Sequence, residues 1–326
     1  MWKHYDGYGS GIISGIAWGA DTVLVGIILS LGKFTANDQV IFLAPFISTF
    51  LHDFFSTIWM LIYMALNKQI APLIKSLNTP SVKYVVIASI LGGPVGMTAY
   101  LLSVKYLGVS YTAIISALYP AVGAVLAAVF LKERLKGKGY IGLAISILGI
   151  AILGIGDKAN IVSKVGFLFA SLCVIGWGSE SVICSYGMKD EEVSPKQALQ
   201  IRQFVSAVTY GFLIIPVVKG FTLTLDVIQS PIIAIILINA LMGTISYVCY
   251  YTAIHKLGSV KAMGLNITYV VWAMIFDRFI IGTPIDMKMI ICAIMVMVGS
   301  FIVATSPKYI PNDYKVYKKE LVNNIN

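Results

Sequence analysis

The chain has 326 residues, of which 58% are hydrophobic and only 12% are charged, whereas a soluble domain carries about 25% charged residues. Apolar runs of about 20 residues recur along its whole length, and each is long enough to cross the ~30 Å hydrocarbon core of a bilayer. The composition therefore excludes a soluble protein and predicts a polytopic membrane protein. The net charge of +9 does not indicate nucleic-acid binding, because the basic residues lie in short loops rather than on one face.

The apolar runs are continuous and do not alternate with polar residues, so they predict helices and not barrel strands. We predict an all-α membrane protein with ten transmembrane helices, at 9–31, 40–66, 82–104, 109–131, 138–155, 165–187, 197–218, 231–254, 259–282 and 287–305. Short connections rich in Gly, Lys, Asn and Pro separate these helices. The residues at 307–326 are predicted to form a polar cytoplasmic tail.

The basic residues predict the orientation of these helices. An even number of spans puts both termini on one side, where sixteen Lys and Arg residues would lie against six on the other side. The side with more basic residues is normally cytoplasmic. We therefore predict a multi-pass protein of the inner (cytoplasmic) cell membrane, with both termini in the cytoplasm.

The two halves of the chain resemble each other at an offset of 150 residues. "AYLLSVKYLGVS" at 99–110 aligns with "CYYTAIHKLGSV" at 249–260, and "LHDFFS" at 51–56 aligns with "IRQFVS" at 201–206. We predict two five-helix repeats at 1–157 and 158–306. Because five is an odd number, the second repeat must enter the membrane inverted relative to the first, as in many secondary transporters.

Two acidic residues each follow a tryptophan by three positions. Trp18 and Asp21 lie in "AWGAD", and Trp177 and Glu180 lie in "GWGSE". Residues three apart share a helix face, so each indole and carboxylate look into the same space. An acid at mid-bilayer costs about 2.5–3.5 kcal/mol on insertion scales, so these positions indicate function. With other aromatic residues at mid-depth, the predicted substrate site comprises Trp18, Trp177, Glu180, Tyr119, Tyr247, Tyr250, Tyr251 and Trp272.

Aromatic rings around one carboxylate favour an organic cation as the ligand. Each ring face attracts a quaternary ammonium group by roughly 0.5–2 kcal/mol, and the carboxylate of Glu180 balances the ligand's charge. Arg202 is interpreted as a residue whose side chain extends to the inner membrane interface.

Four further ionisable residues are candidates for coupling or gating: Asp21, His52, Asp53 and Asp277. Each has a plainer interpretation. Asp21 pairs with His52 or a hydroxyl group, and adjacent His52 and Asp53 form a structural hydrogen bond instead of a proton relay. Asp277 is either a gate or an ordinary surface residue.

Two stretches resemble known families. "YPAVGAVLAAVFLKERLKGKGYIGLAISILGIAILG" at 119–154 is similar to the end of the EamA-type repeat of the drug/metabolite transporter superfamily, in its proline, its helix-ending "LKERL" and its glycine-spaced last helix. The second half departs from this pattern, with "IIGTPI" at 280–285 in place of "LKERL". "GWGSESVICSYGM" at 176–188 resembles the branch of bacterial choline permeases. That resemblance implies choline uptake through an aromatic box with one acid.

These features predict a secondary transporter that takes up choline or a similar quaternary ammonium compound by alternating access. The alternative is a transporter or exporter of another small metabolite, such as an amino acid. No P-loop, nucleophile–base pair or metal-ligand set occurs, so we expect no enzymatic activity, metal or cofactor. The expected partners are choline, the lipid bilayer and protons as candidate coupling ions, with no nucleic acid. The protein is expected to be a monomer or a homodimer. Proton-coupled transport and uniport are both compatible with the sequence.

Overall fold

A computed structural model describes residues 2–130, 134–135, 137–154, 161–188, 191–306 and 308–309. Apart from two residues, the predicted tail at 307–326 lies outside these ranges. So do residues 131–133, which begin the "LKERL" stretch.

The first half of the described chain consists of helices joined by short turns. They are α1 (Trp2–Ser30), a 3₁₀ turn (Gly32–Phe34), α2 (Asp38–Leu66), α3 (Ile70–Ser76), α4 (Ser81–Ile90), a π-helix (Leu91–Met97), α5 (Thr98–Leu107), α6 (Val109–Ser116), α7 (Tyr119–Phe130) and α8 (Gly137–Gly154). The π-helix contains Pro94, which has no backbone N–H to donate to the helical ladder.

The second half of the described chain also consists of helices joined by short turns. It comprises α9 (Ile161–Gly187), α10 (Pro195–Thr209), a π-helix (Tyr210–Ile214), α11 (Ile215–Val217), α12 (Phe221–Ile228), α13 (Ile232–Leu257), α14 (Ser259–Asn266), α15 (Tyr269–Phe276), a π-helix (Asp277–Ile281) and α16 (Met287–Thr305). Two short strands, β1 (Arg134–Leu135) and β2 (Lys308–Tyr309), pair in antiparallel fashion.

Eight helical segments of the described chain are long and apolar enough to cross a membrane: Gly7–Ser30, Asp38–Leu66, Ser81–Leu107, Val109–Leu126, Lys164–Gly187, Pro195–Val217, Ile232–Leu257 and Lys261–Ile281. Two shorter apolar helices, Gly137–Leu153 and Met287–Val303, accompany them. Large apolar side chains such as Phe212 and Phe279 are exposed on the outer faces of these helices, as expected where protein meets lipid. The prediction of a helical, multi-pass membrane protein is therefore confirmed.

The helices pack in a pattern that recurs between the two halves. α1 contacts α13, α14 and α15, and α9 correspondingly contacts α4, α5, α6 and α7. α2 packs against α10 and α13, while α10 packs against α2 and α4. α8 and α16 pack against each other. These contacts are unchanged when α1 is exchanged with α9, α2 with α10, α4 and α5 with α13, α6 with α14, and α7 with α15, whereas α16 also contacts α6, α7 and α14.

The sequence prediction was wrong about two continuous helices, 109–131 and 259–282, because each consists of two shorter helices. The breaks lie between α6 and α7 and between α14 and α15. Pro120 explains the first break, since it cannot donate a backbone hydrogen bond. The turns that precede α6 and α14 are also alike, because Gly108 and Gly258 adopt φ angles of 83° and 84°, in the left-handed region that glycine favours.

Two glycines allow helices to approach closely at the centre of the protein. A Cβ atom on Gly178 of α9 would lie 3.0 Å from the backbone nitrogen of Gly123 and 3.1 Å from the carbonyl oxygen of Tyr119. A Cβ atom on Gly19 of α1 would lie 2.6 Å from the Cβ of Trp272. In each Trp-Gly pair the glycine therefore allows close packing of two helices, as small residues do between membrane helices.

Replacing Gly178 with valine should destabilise the protein, because the new side chain would overlap the backbone of α7. Overpacking of this kind typically costs about 1–3 kcal/mol. The measurement is the melting temperature of the purified protein in detergent. Gly9→Val is the matched control, since a Cβ atom on Gly9 would have no neighbour within 4 Å. Equal melting temperatures for the two variants would contradict the close contact of α9 with α7.

Candidate functional site

A cavity near the middle of the helical bundle brings together most of the predicted substrate residues. Its empty space is about 340 Å³ when the part that is open to solvent is included. Its lining residues are Trp18, Tyr119, Trp177, Glu180, Ser246, Tyr247, Tyr250 and Asn266. Six of the eight predicted residues are in this lining, whereas Tyr251 and Trp272 are not.

The aromatic walls consist of rings that meet edge to face. The ring centroid of Trp18 lies 5.3 Å from that of Trp177 and 5.2 Å from that of Tyr247, with interplanar angles of 79° and 76°. Tyr119 meets Trp177 at 6.1 Å and 88°. Such T-shaped pairs are favoured by the quadrupoles of the rings. Tyr100, which the sequence analysis missed, supports the ring of Trp177 at a centroid distance of 4.7 Å.

Glu180 enters the cavity from α9 and is held by three neighbours. Its Oε1 atom accepts a hydrogen bond from the Nε of Arg202 at 3.2 Å and another from the hydroxyl of Tyr251 at 2.8 Å. Its other side touches the π-helix Leu91–Met97, where a Cβ atom on Gly92 would overlap the carboxylate. Tyr251 therefore lies behind the cavity wall and positions Glu180.

Arg202 is fully buried, with 0% of its surface exposed, so the prediction that it reaches the inner membrane interface was wrong. Two carboxylates explain its position. In addition to Glu180, the Nη1 atom of Arg202 lies 3.3 Å from both carboxylate oxygens of Asp53. Its Nη2 atom donates to the hydroxyl of Tyr247 at 2.9 Å, and its guanidinium carbon lies 4.4 Å from the centroid of that ring.

The ion pairs continue from Asp53 to α1. His52 Nδ1 lies 2.9 Å from Asp53 Oδ1, and His52 Nε2 lies 3.2 Å from Asp21 Oδ1. Asn239 Nδ2 donates to Asp21 Oδ1 at 2.7 Å, and Ser206 donates to Asp53 Oδ2. The prediction that Asp21 pairs with His52 is confirmed, as is a hydrogen bond between His52 and Asp53.

We call the five residues Asp21, His52, Asp53, Glu180 and Arg202 the charged cluster. It contains three carboxyl groups and one permanent cation, Arg202, so with all three carboxyl groups ionised its net charge is −2 with neutral His52 and −1 with protonated His52. Buried charges are tolerated only when they are paired and hydrogen-bonded. The deficit of positive charge makes the neighbouring cavity favourable for a cation.

Asp277 lies in another part of the protein. It is buried, with 1% of its surface exposed, so the alternative of an ordinary surface residue was wrong. Its carboxylate accepts hydrogen bonds from Ser110 and, at 2.8 Å, from Thr283. It lines a separate cavity that Lys105 also borders. Trp272 is likewise outside the central cavity, because its ring packs on Phe276 and its Cβ contacts α1 at Gly19.

Ser246 and Asn266 line the central cavity but were missed in the sequence. Asn266 ends α14 just before the break that precedes Tyr269. It is an amide within an apolar segment, and such residues usually face a bundle interior or a cavity. That signal was available in the sequence.

The chain was compared with known proteins. It is 33% identical to Protein LicB of Haemophilus influenzae over 294 residues, which cover 90% of this chain and 95% of that protein. It is 23% identical to an uncharacterized transporter of Clostridium kluyveri over 240 residues, 71% of this chain and 75% of the relative. A protein of known crystal structure has a similar fold, with a TM-score of 0.56 at 14% identity over 92% of this chain and 95% of that chain.

Family membership is decided by the match over the whole chain. The EamA-like transporter family matches residues 7–155 and, a second time, residues 164–305. Together with the similarity to the two relatives, these matches indicate a membrane transporter and not an enzyme. The chain belongs to the EamA-like transporter family of the drug/metabolite transporter type.

Proposed function

We propose that this protein is a secondary transporter that takes up choline or a similar quaternary ammonium compound. The observation that carries the proposal is the cavity itself, in which Trp18, Trp177 and Tyr247 surround the entrance to a buried carboxylate, Glu180. Ring faces attract a trimethylammonium group, and the net negative charge of the charged cluster offsets the charge of the ligand. The resemblance of "GWGSESVICSYGM" to bacterial choline permeases supports the same substrate.

The alternative substrate, an amino acid, needs a cation to pair with its carboxylate. Arg202 is the nearest candidate, but each of its three nitrogens already donates to a protein acceptor on Glu180, Asp53, Gln203 or Tyr247. Arg202 also lies outside the cavity lining. These contacts favour a ligand without a carboxylate.

Selectivity among small amines tests the substrate. A trimethylammonium group presents only methyl groups, whereas burying the unpaired N–H groups of a primary ammonium costs about 1–3 kcal/mol each. Ethanolamine should therefore bind far more weakly than choline, and betaine should also bind weakly because its carboxylate meets Glu180. The measurement is competition against radiolabelled choline with the purified, reconstituted protein.

Glu180→Gln should lose most choline binding, because it removes the negative charge and keeps the side-chain shape. Asp226→Asn is the control, since Asp226 is an exposed residue of α12, and α12 contributes no residue to the cavity lining. If ethanolamine or an aromatic amino acid competes as well as unlabelled choline, the amino-acid or broader metabolite alternative replaces this proposal.

The architecture proposed for transport is ten membrane helices in two inverted five-helix repeats, at 1–157 and 158–306. The exchange symmetry of the helix contacts supports it, as do the matching glycine turns at Gly108 and Gly258. The two matches to the EamA-like family, one in each half, agree with it. Alternating access would then move the two repeats about the central cavity.

We propose that the protein lies in the inner (cytoplasmic) membrane of the cell and that both of its termini are in the cytoplasm. Lys33 and Lys68 are exposed at opposite ends of α2, so they lie on opposite sides of the membrane. With each changed in turn to cysteine, a membrane-impermeant maleimide added to intact cells should label Lys33→Cys at once and Lys68→Cys only after permeabilisation. The unsubstituted protein is the control for the native cysteines, of which Cys173, Cys184 and Cys292 are buried and Cys249 is partly exposed. The reverse labelling pattern would contradict the orientation.

We also propose that protons are the coupling ions and that Asp21, His52 and Asp53 carry them, with Asp277 as a gating residue. His52 bridges Asp21 on α1 and Asp53 on α2, while Asn239 packs on Asp21 from α13 and Arg202 contacts Asp53 from α10. The imidazole donates to both carboxylates when it is protonated, and it can pass a proton to either of them, which makes it a natural relay.

An inward proton gradient should accelerate choline uptake into proteoliposomes whose membrane potential is clamped at zero. His52→Gln should abolish that acceleration, because glutamine keeps hydrogen bonding but cannot carry a proton. Uptake that responds only to the membrane potential, which supplies about 2.3 kcal/mol per charge and 100 mV, would indicate a uniport and contradict the coupling proposal.

A further inference from the structure

The central cavity has a polar wall that the ammonium group of the proposed substrate does not use. Tyr119, Ser246 and Asn266 form this wall, and the buried Ser14 supports it from behind. Asn266 Oδ1 accepts a hydrogen bond from the Tyr119 hydroxyl at 2.9 Å, and Asn266 Nδ2 donates to Ser14 Oγ at 2.5 Å. Ser246 Oγ donates to the carbonyl oxygen of Ser14 at 2.9 Å. These residues come from α1, α7, α13 and α14, whereas Glu180 comes from α9.

The breaks between helices bring this wall to the cavity. Asn266 is the last residue of α14, and Tyr119 is the first residue of α7. Gly15 of α1 lies against the turn after Asn266, where a Cβ atom would be 3.1 Å from the Asn266 carbonyl oxygen. Tyr119 and Ser14 thus hold the side-chain amide of Asn266, and α1 packs against its backbone, before any ligand arrives.

The amide of Asn266 retains hydrogen-bonding capacity. A primary amide has two N–H donors and an oxygen with two lone pairs. The contacts among the described residues use one donor and one lone pair, which leaves one donor and one lone pair on a residue that lines the cavity. An alcohol hydroxyl needs one acceptor for its proton and has lone pairs for one donor.

We infer that Asn266 determines specificity by binding a hydroxyl group on the substrate, a short distance from its quaternary ammonium group. This inference rests on the proposed function and adds to it a second recognition point. The substrate class becomes hydroxyalkyl trimethylammonium compounds, and tetraalkylammonium ions without an oxygen become poor ligands. An analogue without the hydroxyl would leave the Asn266 amide buried without its partner, which is costly.

The test compares choline with propyltrimethylammonium, in which a methyl group replaces the hydroxyl. Calorimetry on the purified full-length protein measures both affinities. The wild-type protein should prefer choline by about tenfold, the effect of one unpaired buried polar group. Asn266→Leu, which has a similar shape, should weaken choline about tenfold and leave propyltrimethylammonium within about twofold. Asn266→Ala is the second variant if the leucine variant does not fold.

The outcomes separate this inference from the proposed function. Equal affinities of the wild-type protein for choline and propyltrimethylammonium would overturn the role of Asn266 but not the proposal of choline transport. An equal loss of affinity for both compounds in the Asn266 variants would do the same. Binding of neither compound by the wild-type protein would overturn the proposed function. Asn67→Leu is the control for the substitution itself, because Asn67 is an exposed cap at the end of α2, and it should retain both affinities.

Discussion

The interaction on which the centre of this protein depends is the pairing of Arg202 with Glu180 and Asp53. These two carboxylates lie on α9 and α2, and the guanidinium belongs to α10, so one cation ties three helices together. Moving an unpaired ion into an apolar interior costs several kcal/mol, and removing one partner of a buried pair typically costs about 3–5 kcal/mol. The bidentate, permanently charged guanidinium suits this task better than a lysine ammonium would.

The same arginine links the charged cluster to the aromatic cavity. It stacks on Tyr247, whose ring also meets Trp18 in the cavity wall. Glu180 belongs to both systems, since it pairs with Arg202 and lines the cavity. A cation that enters the cavity therefore joins an existing network with a surplus of negative charge. In the proposed mechanism, this one set of contacts would couple the binding of the substrate to a change in the protonation of His52.

Much of the fold could be predicted from the sequence. Apolar runs gave the helical segments to within a few residues because membrane spans have a length set by the bilayer. The offset of 150 predicted correspondences such as Gly108 with Gly258, since both occupy the same turn. Helical spacing predicted that Trp177 and Glu180 share a face, and the inverted repeat predicted that Trp18 lies on the helix opposite them. The breaks inside 109–131 and 259–282 were missed because only one of them contains a proline, and the other has no comparable sequence signal.

Arg202 and Asn266 were misjudged for a different reason. A single arginine near a helix end is usually accommodated by extension toward the headgroups, and its burial depends on two carboxylates contributed by distant parts of the chain. The offset of 150, which aligned Arg202 with His52 and Gln203 with Asp53, already held a clue, because counterparts near the axis of the proposed inverted repeat would lie close together. Asn266 reaches the cavity only because α14 ends there, which periodicity does not reveal.

The most direct test of the central claim is a structure determined with choline bound. The account predicts the trimethylammonium group among the rings of Trp18, Trp177 and Tyr247, within about 6 Å of their centroids, with the pair between Glu180 and Arg202 intact beside it. Density for choline elsewhere, for example in the cavity that Asp277 lines, would contradict the account. So would a bound structure in which Glu180 has turned away from the ligand.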